Sequence, residues 1–216
     1  MRFRLTYNGP LLSSNPLAPE KKAEHKHDIR RHFHVQLKEL WRTNKFLCEL
    51  KKPPGACSDI MPPVVMTVWQ HDFGTYRHVP EILGKIYGRS GYNFAPLVWK
   101  ENSLFCSLRI LCLRRDSVDA LLPRDIDNRV KTLIDALVMP SVAQGSPLKD
   151  GKPFPPQEGE EPFFVLLDDD RQITHLEIET DTALEADSCE DESFVRLVIS
   201  VEIRPYIVSL FNLGFG

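Results

Sequence analysis

The chain has 216 residues, 42% of them hydrophobic, and a formal net charge of −3, enough to bury a sizeable core in one elaborated domain spanning residues 1–216. No apolar run approaches the roughly 20 residues of a membrane span, and the N-terminus, with Arg2 and Arg4, lacks the apolar stretch of a secretory signal. Cys48, Cys57, Cys106, Cys112 and Cys189 have no metal-ligand spacing, so a reduced, cytoplasmic setting is expected.

The first 55 residues are basic, with 12 Lys plus Arg against 5 Asp plus Glu, a local net of +7. Lys21, Lys22, Lys26, Arg30, Arg31, Lys38 and Arg42 lie mostly on one polar helix over residues 21–46, beside His25, His27, His32 and His34. Phosphate backbones attract such a stripe whatever their base sequence. The plain alternative is a solvated charged face. Neither histidine pair has the i,i+4 spacing of a helical zinc site, so exposed titrating side chains are expected. Residues 53–91, with Trp69, Phe73 and Tyr76 among polar residues, read as a long surface loop.

Residues 104–113 are mostly apolar and rich in Leu, Ile and Phe, as a buried strand would be. Cys106 and Cys112 fall within it as small hydrophobes. A polar link over residues 114–124 leads to Asp125-Ile126-Asp127-Asn128-Arg129-Val130-Lys131, which opens a helix. Acidic residues suit the positive end of its dipole. Val130, Leu133, Ile134, Leu137 and Val138 mark its buried face, and Pro140 ends it. Lys131 follows Asp127 by four residues, so the two are neighbours on one face. Asp135 stands four residues beyond Lys131 and is placed to brace it, or to be a plain exposed Asp. Arg109, Arg114, Arg115, Arg124 and Arg129 surround the motif with positive charge.

Residues 141–162 are rich in Pro, Gly and Glu and read as a second long loop. The apolar run 163–167 then delivers Asp168-Asp169-Asp170, followed by alternating apolar and polar residues over 173–178. Residues 181–193 hold acidic residues and no basic one, a third loop. Residues 138–204 carry 5 basic against 16 acidic residues, a local net of −11. Three adjacent carboxylates repel one another unless a cation compensates. Carboxylates are hard ligands for Mg²⁺, a metal that activates water and neutralises charge on a phosphate, and a lysine acts there as a point charge. A divalent-metal phosphodiesterase is therefore the expected chemistry. An Asp at a helix start is otherwise an ordinary cap.

The pattern Asp125-x-Asp127-Asn128-x-x-Lys131, then Asp135-Ala136-Leu137, then Asp169-Asp170-x-Gln172-Ile173 resembles the RusA family of Holliday-junction resolvases. The likeness is specific over residues 124–137 and 168–178 and covers the rest in outline, with residues 5–15 a loose match to the family's opening strand. It implies a small mixed β-sheet packed by helices, of α/β (α+β) class, elaborated by loop insertions near 53–91, 141–162 and 181–193. It further implies a Mg²⁺- or Mn²⁺-dependent endonuclease, homodimeric, cutting four-way DNA junctions in recombination and repair, near the nucleoid. Residue by residue, Asp125, Asp127 and Asp170 match the family's essential aspartates, Asp169 the acidic residue before the last, and Lys131 the motif lysine. Asp125, Asp127, Lys131 and Asp170 are the expected catalytic residues, and Asp125, Asp127, Asp169 and Asp170 the expected metal ligands. Asp168 lies outside the pattern and reads as a residue supporting the ligands or, preferably, as a solvated neighbour. Lys22, Lys26, Arg30, Arg31, Arg114, Arg115, Arg124 and Arg129 are the expected DNA contacts.

Two other readings are open. One is a RusA-like protein that binds branched DNA without cutting, or cuts flaps or forks. The other is an interaction protein whose acidic segments bind a cation or a basic protein partner; a twelve-residue loop counted from Asp168 lacks the turn Gly of an EF-hand, with Ile173 in its place.

Overall fold

The computed structural model describes residues 1–13, 18–50, 79–89, 91–114, 126–140, 148–149, 152–153, 155–184, 193–209 and 212–216. In chain order the elements are β1 (Arg2–Pro10), α1 (Pro19–Thr43), α2 (Lys45–Leu50), α3 (Val79–Ile86), β2 (Gly88–Arg89), β3 (Tyr92–Val98), β4 (Leu104–Arg114), α4 (Ile126–Leu137), β5 (Leu148–Lys149), β6 (Lys152–Pro153), β7 (Phe163–Leu167), β8 (Ile173–Thr182) and β9 (Phe194–Pro205). This is an α+β fold. No helix among the described residues is long and apolar enough to cross a membrane.

Four strands form the larger sheet in the order β1-β9-β4-β8. β9 runs antiparallel to both β1 and β4, whereas β8 joins the far edge parallel to β4. Alternation decides its faces, because successive side chains of a strand point to opposite sides. In β4, Leu104, Cys106, Leu108, Ile110 and Cys112 are buried, and Phe105, Ser107, Arg109 and Leu111 point the other way. β9 repeats the rule with Val195, Leu197, Ile199, Val201 and Ile203 inward. The apolar look of residues 104–113 thus hides a two-sided strand.

A second sheet, β2-β3-β7, pairs β3 with β7 in parallel. All five residues of β7 are buried, as expected of a parallel strand covered on both faces. α1 lies across β7, α4 and the inner face of β1. Ile29, Phe33, Leu37 and Trp41, four residues apart, form its apolar stripe, with His27, Arg30 and His34 beside them in the buried face. The basic helix is therefore amphipathic and core-seated. It stops at Asn44, whose side-chain oxygen accepts from the Leu47 amide at 3.1 Å and starts α2. Residues 21–46 are accordingly two helices, the turn between them capped by a residue type suited to that place.

Residues 79–89, inside the stretch read as loop, form α3 and β2, with Val79, Ile82 and Leu83 fully buried. Trp69, Phe73 and Tyr76 lie outside the described residues. The bend from β3 to β4 is a 3-10 turn over Lys100–Asn102 followed by Ser103 at φ 54°. Buried Asn102 holds it, donating to the Leu97 carbonyl and accepting from the Trp99 amide, both at 3.2 Å.

Candidate functional site

The motif helix forms where the spacing of its residues expects it. Leu133, Ala136 and Leu137 are buried, and Ile134 and Val138 are partly so. Asp127 sits exposed in the first turn, where the amide dipoles favour a negative charge. Lys131 is exposed one turn further on. Asp125, together with Arg115 and Arg124, lies outside the described residues.

Asp135 does not brace Lys131. Its carboxylate binds Lys26 of α1 at 2.5 Å, both side chains largely buried. The neighbouring Arg30 is only 3% exposed. It donates from Nε to the Val138 carbonyl at 3.1 Å and from a terminal nitrogen to the Asp135 carbonyl at 2.7 Å. These are carbonyls that a helix C-terminus leaves without intrahelical partners, and a cation suits the negative end of the dipole. Burial draws the Arg30 guanidinium down to about 10, still charged at neutral pH.

The acidic cluster divides into three environments. Asp168 is half-buried: its Oδ2 accepts from the Lys100 amide at 3.3 Å. Its Oδ1 is sealed from water without a hydrogen bond among the described residues. Burial first, then the charges of Glu101 and Asp169, push its carboxyl up to about 6. It is not the solvated neighbour expected of it, because the backbone at Leu167–Asp168 is stitched to β3 and turned inward; the Asp168 amide donates to the Val98 carbonyl at 3.1 Å. Asp169 caps the turn that starts β8, accepting from the Arg171 amide at 2.9 Å, with the Arg171 guanidinium 3.7 Å away. Asp170 is the first residue of that turn and is exposed.

The two halves of the motif approach α4 from different directions. Val138 bridges Leu167 in parallel, and the Met139 amide donates to the Leu167 carbonyl at 2.9 Å. Asp168 therefore adjoins the C-terminal end of α4, whereas Asp127 stands eleven residues back, about 16 Å of helical rise. Among the described residues, no three His, Cys, Asp or Glu side chains come together to hold a metal ion. Asp127 on one side and Asp169 and Asp170 on the other therefore do not fit a shared Mg²⁺ site among the described residues.

Several expected DNA contacts have internal duties. Besides Lys26 and Arg30, Arg31 binds Glu160 at 2.8 Å and reaches the Tyr92 hydroxyl at 3.3 Å. The Glu160 side chain is 8% exposed, so this pair holds α1 to the segment before β7. Arg30 in particular is too deeply placed to meet a phosphate. Lys22 and Arg129 are half-exposed, and Arg114 is half-exposed at the end of β4.

The histidines are likewise not all exposed. His34 Nδ1 accepts from the Phe164 amide at 2.9 Å, and its Nε2 donates to the Gly159 carbonyl at 3.3 Å. Its ring stacks on Phe163 at 4.5 Å. His27 is fully buried, with Nε2 3.0 Å from the Tyr92 hydroxyl. Burial, with Arg30 and Arg31 nearby, lowers it to about 3. Of the four histidines of α1, His32 alone is exposed; His25 is half-buried and accepts from the Leu12 amide at 3.1 Å.

The residues that had drawn no site assignment lie on the outer face of the larger sheet. Arg2, Arg4, Arg109 and Arg204 line an open groove of about 810 Å³ together with Phe105 and Ser107. The alternation Arg2, Arg4 against Leu5, Tyr7 was the available signal, obscured because it spans only one strand. Comparisons with family models, curated proteins and solved structures give no match for this chain.

Proposed function

We propose that this protein is a structure-specific endonuclease of branched DNA, of RusA type, requiring Mg²⁺ or Mn²⁺ and acting as a twofold homodimer. The observation that carries the reading is the placement of the motif on element starts. Asp127 opens α4 and Asp169–Asp170 form the turn that opens β8, both positions where carboxylates reach solvent from a rigid base. Asp125 and Asp127 would act from the α4 side, Asp169 and Asp170 from the β8 side, and Lys131 on the phosphate.

A second reading is favoured by one specific feature. The Asp168–Asp170 turn adjoins the opposite end of α4 from Asp127, an arrangement suited to a protein that binds branched DNA and does not cut it. A labelled four-way junction, a flap and a plain duplex, incubated with Mg²⁺ and with EDTA, separate the two. Under the nuclease reading, paired nicks form in the junction with Mg²⁺ only, and both Asp125→Asn and Asp170→Asn abolish them while junction binding persists. Binding by the wild type with no nick in any substrate would establish the second reading.

A further inference from the structure

From the outer face of the larger sheet we infer a docking surface for single-stranded nucleic acid, separate from the acidic motif and from α1. Register places its residues in rows across the strands. Arg4, Ser200 and Arg109 form one row, Arg2, Glu202, Ser107 and His175 the next, and Arg204 faces Phe105 in a third. None of the described helices packs on this side, because α1 lies against the inner face.

The charges are arranged to leave donors free. Glu202 accepts from Arg2 Nε and from a terminal nitrogen of Arg204, both at 2.6 Å. One carboxylate thus holds two guanidinium groups, each with five N–H donors, whose side chains stay 75% and 55% exposed. Arg109 touches Glu177 through Nε at 3.1 Å and is 73% exposed. Arg4 has no ion pair among the described residues. Four arginines against Glu202 and the adjoining Glu177 leave the groove at +2, in a protein whose overall charge is −3.

Charge complementarity therefore selects a polyanion, and shape and chemistry narrow it further. Phe105 is half-exposed, paired across the strands with Arg204, and shares the groove with the other three arginines. An aromatic side chain on an open sheet, flanked by guanidinium groups, is a stacking platform for unpaired bases with cations for the backbone. A duplex offers no free base faces to it. The groove also runs toward His175, five residues past Asp170. A strand lying there would emerge next to the acidic turn.

The test is fluorescence anisotropy with a labelled mixed-sequence oligonucleotide, single-stranded or annealed to its complement, in EDTA so that cleavage plays no part. The result then stands whatever the fate of the nuclease reading. The double variant Arg4→Glu with Arg109→Glu, unchanged in circular dichroism, should bind the single strand at least about tenfold more weakly, with a shallower salt dependence. Phe105→Ala should lose about tenfold on the single strand and little on the duplex. Arg42→Glu, a reversal on the exposed side of α1, is the control and should have a much smaller effect. Equal losses in the control, or no loss in the double variant, overturn the proposal. A double variant that binds normally but sediments at a different mass would place a second copy of the chain on this face and would also overturn it.

Discussion

Three neighbouring carboxylates cannot all keep their water when the first is folded against the end of a strand, and here that one is Asp168. Its carboxyl is raised from 3.8 to about 6. The folded protein therefore holds a proton between those values that the unfolded chain has released. Stability contributed by that proton is present at low pH and lost as pH rises through about 6. Asp168→Asn supplies a permanent neutral partner: its oxygen keeps the Lys100 amide, and its NH₂ group carries no charge against Glu101 and Asp169. In EDTA the variant should melt higher than wild type at pH 8, with the gap closing toward pH 4. A gap independent of pH would mean that the carboxyl is not raised. Asp169 and Asp170 have no comparable burial, which is why the sequence run Asp-Asp-Asp contains three different residues in physical terms.

At the scale of elements, α1 and α4 hold each other by a cation set under a helix end. Arg30 reaches two carbonyls at the C-terminus of α4, and Lys26 with Asp135 closes the same contact. Arg30→Met retains much of the apolar stem and removes the donors. Two effects oppose each other: the variant escapes the desolvation of a buried charge, but it leaves two buried carbonyls without partners. Unsatisfied groups of this kind cost about 1–3 kcal/mol each, so the net should be a loss of roughly 2–4 kcal/mol, read as a lower urea midpoint. A midpoint equal to wild type would remove Arg30 from any capping role. This contact also explains what could be read in advance. The motif helix was legible because Leu133, Leu137 and Pro140 declare its face and its end within a dozen residues. The role of α1 was not, because Lys26, Arg30 and Arg31 look like a phosphate-binding stripe until Asp135, Val138 and Glu160, more than a hundred residues away, arrive beneath them. β3 escaped notice for a related reason: Tyr92–Val98 is buried almost throughout, and it lacks the alternation that marks a half-exposed strand. The outer arginines of β1 and β9 become a surface only through a pairing between opposite ends of the chain, with Arg2 against Glu202.

For the whole molecule, two sets of titrating groups act in opposite senses over the same acid range. His27 is held neutral in the core, lowered from 6.5 to about 3, and His34 is lowered as well by burial. The unfolded chain takes up those protons below about 6.5 and the folded one only at lower pH, so their contribution to stability is present above that pH and lost as pH falls. For His27 at pH 5 the loss amounts to about 2 kcal/mol. Asp168 works the other way, gaining stability as pH falls from 6 to 4. The histidines win above pH 6, where the folded protein leaves Asp168 less than half protonated, so urea stability should decline between pH 6.5 and 6 and flatten below. Removing the compensator should make the decline continuous, and Asp168→Asn is therefore the background in which to measure it. In that background His27→Gln, able to keep a hydrogen bond to Tyr92, should lose less stability between pH 7 and 5 than the single variant, by about 2 kcal/mol. An identical loss in both proteins would show that the acid sensitivity of this fold does not come from His27, and would leave His34, stacked on Phe163 under the same helix, as the group to replace next.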